Sequence, residues 1–175
     1  MIENLSNRIY FVRGRDQVVC PCCGCVLKII GSRLRKYING AGEVITLNIR
    51  RLRCRKCGRV HHELPDILVP YKRYDSSSIE SALTDTVKTA VSAEQSTFYR
   101  WKIWYDSLIT HFLCCLRFIY NKIGIGYSES KLITEKNSKE LKRIRYFERD
   151  SPGWLSLFVC PLVNSNLYVH TRSAF

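Results

Sequence analysis

The chain has 175 residues, with 28 Lys and Arg against 15 Asp and Glu, a formal net charge of +13 and nine cysteines. An apolar fraction of 46% with 11% aromatics excludes a disordered tail protein. No run reaches the roughly 20 apolar residues of a membrane span, because residues 108–125, the greasiest stretch, are interrupted by His111, Arg117 and Lys122.

Residues 1–8 contain Glu3 and no apolar h-region, so a cytoplasmic, nucleoid-associated location is expected. In that compartment clustered cysteines more often bind metal than form disulfides. The positive charge implies a polyanionic partner, and it is uneven: residues 1–70 carry 13 basic and 5 acidic groups. Residues 48–60 read NIRRLRCRKCGRV, in which Arg50, Arg51, Arg53, Arg55, Lys56 and Arg59 meet no acidic residue.

Two C-x-x-C-G knuckles flank this region: Cys20-Pro21-Cys22-Cys23-Gly24 and Cys54-Arg55-Lys56-Cys57-Gly58. A two-residue gap lets both thiolates of a tight turn face one tetrahedral Zn²⁺, and the glycine tolerates the positive φ that closes such a turn. The matched pair points to one structural zinc on Cys20, Cys23, Cys54 and Cys57. Cys22 and Cys25 form a rival C-x-x-C, and His61 or His62 could replace a thiolate. Between the knuckles, residues 26–30, 34–38 and 44–52 read as strands, with Asn39-Gly40-Ala41-Gly42 as a turn. That order makes residues 18–65 a zinc β-ribbon, preceded by an N-terminal lead. So small a module needs metal to fold.

Residues 66–75 read as a linker. From there the period becomes helical. Ser77-x-x-Glu80 resembles a capping box, with Ile79, Leu83 and Val87 as an apolar stripe. After a break at residues 90–93, Ser92-x-x-Gln95 offers a second box for a helix running to about Asp106. Phe98, Trp101, Tyr105 and Leu108 share its inward face. Gln95, Ser96, Tyr99, Arg100 and Lys102 point elsewhere. Two short capped helices, the second basic outside, fit a helix-turn-helix whose second helix reads the major groove. An ordinary αα-hairpin with a solvated face is the alternative. A further apolar helix is expected over residues 108–123, with Cys114, Cys115 and Cys160 in the core.

Residues 126–175 form an extension whose role the sequence does not specify. Residues 128–149 are charge-rich and partly helical, and Pro161 is expected to break any helix in the apolar run 154–163. The fold class is therefore α+β, an N-terminal zinc β-ribbon followed by a mainly helical helix-turn-helix region over residues 76–125. No catalytic constellation is visible, and non-catalytic binding is favoured.

The CPxCG knuckle, RLRCRKCGRVHHELPD, LVPYKRY and STFYRWKIWY together resemble the zinc-ribbon plus helix-turn-helix heads of insertion-sequence transposases. They also resemble small bacterial zinc-ribbon proteins of this layout linked to mobile elements. The resemblance covers about residues 18–108, and the acidic catalytic-triad domain of full transposases is missing. It implies Cys20, Cys23, Cys54 and Cys57 as metal ligands and residues 95–102 as a DNA-facing helix. The expected partner is double-stranded DNA, with transposition proteins or a second copy of the chain beside it and no membrane. A protein–protein adaptor in a transposition or transcription complex is the alternative function, and RNA binding a third.

Overall fold

The computed structural model describes residues 2–5 (backbone only), 9–14, 17–84, 91–122 and 152–168. Five strands form one sheet: β1 (Ile2–Leu5), β2 (Ile9–Val12), β3 (Leu27–Ile38), β4 (Val44–Cys54) and β5 (Val60–His62). Its order is β1-β2-β4-β3. β4 is the hub: β3 pairs along one side of it, while β2 (parallel) and β5 (antiparallel) share the other. The N-terminal lead is thus part of the sheet.

The two short strands expected at 26–30 and 34–38 are one strand. A register shift at Ile30, between the pairs Ile29↔Leu52 and Gly31↔Arg51, interrupts the alternation without breaking the ladder. On β4 the alternation is unbroken. Leu47 and Ile49 face a small core with Val12 and Leu68, and Leu52 and Cys54 are buried on the opposite face.

Three helices make a second core: α1 (Ser76–Leu83), α2 (Gln95–Lys122) and α3 (Trp154–Asn164). Trp101, Tyr105 and Leu108 are buried in it as the helical period requires, with Phe98 packed at its margin. Phe112, fully buried, stacks on Tyr168 at 5.5 Å and meets Phe158 edge-on at 5.8 Å. The helices expected to end near Asp106 and resume at Leu108 are a single 28-residue helix, because no glycine or proline interrupts residues 95–122.

Several local expectations are corrected. Asp75, not Ser77, caps α1, its carboxylate accepting from Ser78 N–H at 2.8 Å. Glu80 is drawn away to α3, where its two oxygens accept from the N–H groups of Gly153 (3.0 Å) and Leu155 (3.1 Å). α2 begins at Gln95 over the Glu94 carbonyl, while Ser92 N–H goes to the Gly40 carbonyl. Pro161 lies inside α3: it removes the donor to the Leu157 carbonyl, near the helix end and behind an exposed residue, and the turn survives. Cys114 is exposed, and Cys115 and Cys160 are half-buried. Val87 and residues 123–151 and 169–175 lie outside the described residues.

Residues 66–75 join the two cores. Leu68 is 4% exposed within the sheet core, and its neighbour Val69 is 1% exposed within the helical core. Ile38 exchanges backbone hydrogen bonds with Arg73 and Asp75 at 2.8 and 3.1 Å. The hairpin tip therefore rests on the helical body. At about 3.3 Å per residue, its cysteine end stands roughly 40 Å away along β3.

Glu80→Ala should lower the unfolding free energy by about 1–2 kcal/mol, since two helix N-terminal donors lose their acceptor. An unchanged urea midpoint would show that the cap carries no stability.

Candidate metal centre and cationic face

The two knuckles have the same geometry. Cys20 N–H donates to the Cys25 carbonyl (2.8 Å) as Cys54 N–H does to that of Arg59 (3.0 Å). Gly24 N–H returns to the Cys20 carbonyl (2.8 Å) as Gly58 N–H does to that of Cys54 (3.1 Å). Gly24 and Gly58 have φ of 70° and 71°, the left-handed conformation that costs a side chain about 1–2 kcal/mol.

The sulfurs of Cys20, Cys23, Cys54 and Cys57 lie within 4.8 Å of one another. Cys20 to Cys57 is 3.6 Å and Cys23 to Cys54 is 3.4 Å. A tetrahedral ion with metal–sulfur bonds of about 2.3 Å requires sulfurs about 3.8 Å apart, so the set fits one metal ion.

The four thiols differ in proton affinity. Burial alone would raise the Cys20 thiol, but the backbone N–H groups of Cys22 and Cys23 bring it down to about 6. The Cys57 N–H likewise lowers Cys54. Cys23 is the reverse: the Cys25 N–H lowers it, yet its contact with Cys54 and its burial push it up to about 12. Cys57 is also raised, by burial and by Cys54 and Cys20, against the Arg59 N–H. Four thiolates at this spacing need a cation to ionise together.

His61 and Cys22 crowd the same centre. His61 Nε2 is 3.4 Å from Cys20 Sγ, and Arg59 donates to Cys22 Sγ at 3.2 Å.

The basic run divides by strand alternation. Arg50 forms a bidentate pair with Glu63 (2.5 and 2.6 Å), and Glu63 also accepts from Gly14 N–H at 3.0 Å. That compensates the charge of Arg50 internally, and Arg59 is engaged at Cys22. Arg51 and Arg53 project from the other face of β4 and are exposed, as are Arg55 and Lys56 in the knuckle turn. The register adds three residues that the linear run did not reveal. Lys28 and Arg33 of β3 lie opposite Arg53 and Ile49, and His62 of β5 lies opposite Arg51, all exposed on the Arg51 face, whereas Arg35, opposite Leu47, is half-buried and donates to the Lys72 carbonyl at 2.8 Å. Burial, then Arg33 and Arg51, then His61, depress the His62 proton affinity, so the potential here is positive. The only sequence signal for these was the Arg33-Leu34-Arg35 alternation. Gln95, Ser96, Tyr99, Arg100 and Lys102 are all exposed on the first turns of α2.

A family model described as a domain of unknown function (DUF6431) matches residues 20–101, from the first knuckle cysteine to the first turns of α2. No curated protein and no solved structure matches the chain.

Cys54→Ser should abolish metal retention and unfold the cysteine end. Metal analysis after desalting reads the first, and protease sensitivity near residues 20–60 the second. Full metal content in that variant would exclude the four-sulfur centre.

Arg50 holds the Glu63 carboxyl below the usual carboxylate range, with help from the Gly14 N–H. The stability of this clamp is therefore fully present above the ordinary glutamate pKa and is lost as pH falls through the depressed one. Acid unfolding of Glu63→Gln should show a shallower limb below about pH 4.5.

Proposed function

We propose that this is a non-catalytic, zinc-dependent DNA-binding protein that serves as an accessory or regulatory factor of a mobile element. The observation that carries the reading is the face of β3, β4 and β5 on which Lys28, Arg33, Arg51, Arg53 and His62 gather, all exposed. The acid of this region, Glu63, is held by Arg50 on the opposite face. Such a face suits a phosphate backbone. Zinc is the ion that four thiolates in tetrahedral array favour. The mobile-element context rests on the resemblance in layout.

Geometry also supports a second contact. Ser92, just before α2, donates to Gly40 in the hairpin tip, so the start of α2 lies at the far end of the ribbon from the cysteines. From Arg53 to that tip is roughly 30 Å of strand, close to the roughly 34 Å of one B-DNA turn. The ribbon would hold phosphates while Gln95, Ser96, Tyr99, Arg100 and Lys102 meet the adjacent groove. The helix-turn-helix reading takes a loose form here. Residues 84–94 separate α1 from α2, a longer connection than the usual turn of about three or four residues.

A protein–protein adaptor is the second reading. It is favoured by the outer edge of β3, where Ile29, Ile30 and Leu34 are all exposed.

The test is binding-site selection from random duplex DNA, followed by salt titration of variants. Arg53→Ala should weaken all sequences about equally and reduce the salt slope by about one. Arg100→Ala should mainly erase preference for the selected site, by about 1–3 kcal/mol. Arg50→Ala should act through stability, with its slope unchanged once folded. If no variant alters DNA binding at moderate salt, the adaptor reading replaces this one.

A further inference from the structure

Cys22 and His61 have no place in the four-cysteine centre, yet both side chains turn toward it. Among the described residues, the ligand atoms of Cys20, Cys22 and His61 also lie within 4.8 Å of one another. β5 explains how His61 arrives there. It pairs with Leu52, whose side chain is on the same face of β4 as Cys54, while His62 on the next position joins the arginine face. The first knuckle brings Cys22, because its turn carries Cys20, Cys22 and Cys23 around one loop.

We infer that Cys20, Cys22 and His61 hold a second divalent metal ion, joined to the first through a bridging Cys20 thiolate. A tetrahedral ion bound to one sulfur at about 2.3 Å and one imidazole nitrogen at about 2.0–2.1 Å separates those ligands by about 3.5 Å. The Cys20 Sγ to His61 Nε2 distance is 3.4 Å. Two thiolates and one imidazole suit a borderline-soft ion such as Zn²⁺. Three protein ligands leave the fourth position for water or an anionic oxygen, as in open zinc sites.

Charge is consistent with the pair. Four thiolates around one divalent ion sum to −2. A fifth thiolate and a second divalent ion bring the total to −1. Arg59, which donates to Cys22 Sγ at 3.2 Å, stabilises that thiolate from outside the metal shell. Cys22 and His61 are both half-buried, so the second position is reachable from solvent while Cys20 and Cys54 are sealed.

The inference presupposes the four-cysteine centre, and metal counting separates the two. The full chain, reduced and loaded anaerobically with excess Zn²⁺, is desalted and its metal counted per chain. The expected result is two ions in the native sequence, with the second lost first to a weak chelator. Cys22→Ser and His61→Ala should each fall to one while retaining the ribbon's circular dichroism. Cys25→Ser and His62→Ala should keep two. Loading with Co²⁺ gives a second readout: the second equivalent should add visible ligand-field absorption that His61→Ala removes. One ion per chain, unchanged by Cys22→Ser or His61→Ala, would overturn the second site and leave the first standing. No retained metal at all would overturn both.

Discussion

Four sulfurs crowded into a space of a few ångströms are the constraint on which the ribbon depends. Without a cation, Cys20 and Cys54 are driven toward thiolate, while Cys23 and Cys57 hold their protons more tightly than an ordinary thiol. The cysteine end has little else to hold it. Cys20, Leu52 and Cys54 are buried there, but neighbouring Val19, Val26, Ile29 and Val60 remain exposed. A metal ion would both neutralise the sulfurs and supply the long-range connection between knuckles 30 residues apart. The other end has no such need, because the hairpin tip rests on the helical core through Ile38, Gly40 and the Leu68–Val69 joint. The ribbon is therefore fixed at one end by packing, a bound metal ion would fix the other, and the strands between can stay polar and exposed.

That division explains what could be read from the sequence. The matched C-x-x-C-G pairs are local: each knuckle's hydrogen bonds and its left-handed glycine span six residues or fewer, so their spacing predicts their shape. The inward stripe of α2 is equally local, since Trp101, Tyr105 and Leu108 follow from helical period alone. Pairing across the sheet is not local. The union of residues 27–38 into one strand depends on an Ile30 bulge that only the β4 partner defines. Glu80 reads as half of a capping box, yet it serves a helix more than seventy residues later. Pro161 argues against a helix only when its packing is ignored: Trp154, Leu155, Phe158, Val159 and Leu162 bury enough apolar surface to hold α3 around one missing hydrogen bond.

The basic run shows most clearly why composition overstates a binding surface. Six cations within ten residues suggest one continuous stripe, but a strand presents alternate residues to opposite faces. Arg50 turns to Glu63 and becomes part of the fold's attachment to Gly14, so its charge is internally compensated. Arg59 sits in the second knuckle and faces Cys22, where it answers the negative charge of the sulfur cluster. The cations left over gain members from neighbouring strands instead. Lys28 and Arg33 enter from β3 and His62 from β5, and the resulting patch runs across the sheet rather than along the sequence. A field built across strands is broader than one built along a single strand. On the proposed DNA-binding reading, that breadth suits the two phosphate rows of a duplex. That breadth depends on β5 holding its register beside β4, and β5 follows directly from the second knuckle. If a metal ion joins the knuckles, losing it would thus loosen His61 and His62 along with Cys54 and Cys57, and the cationic face would lose its third strand even though every arginine remained in place.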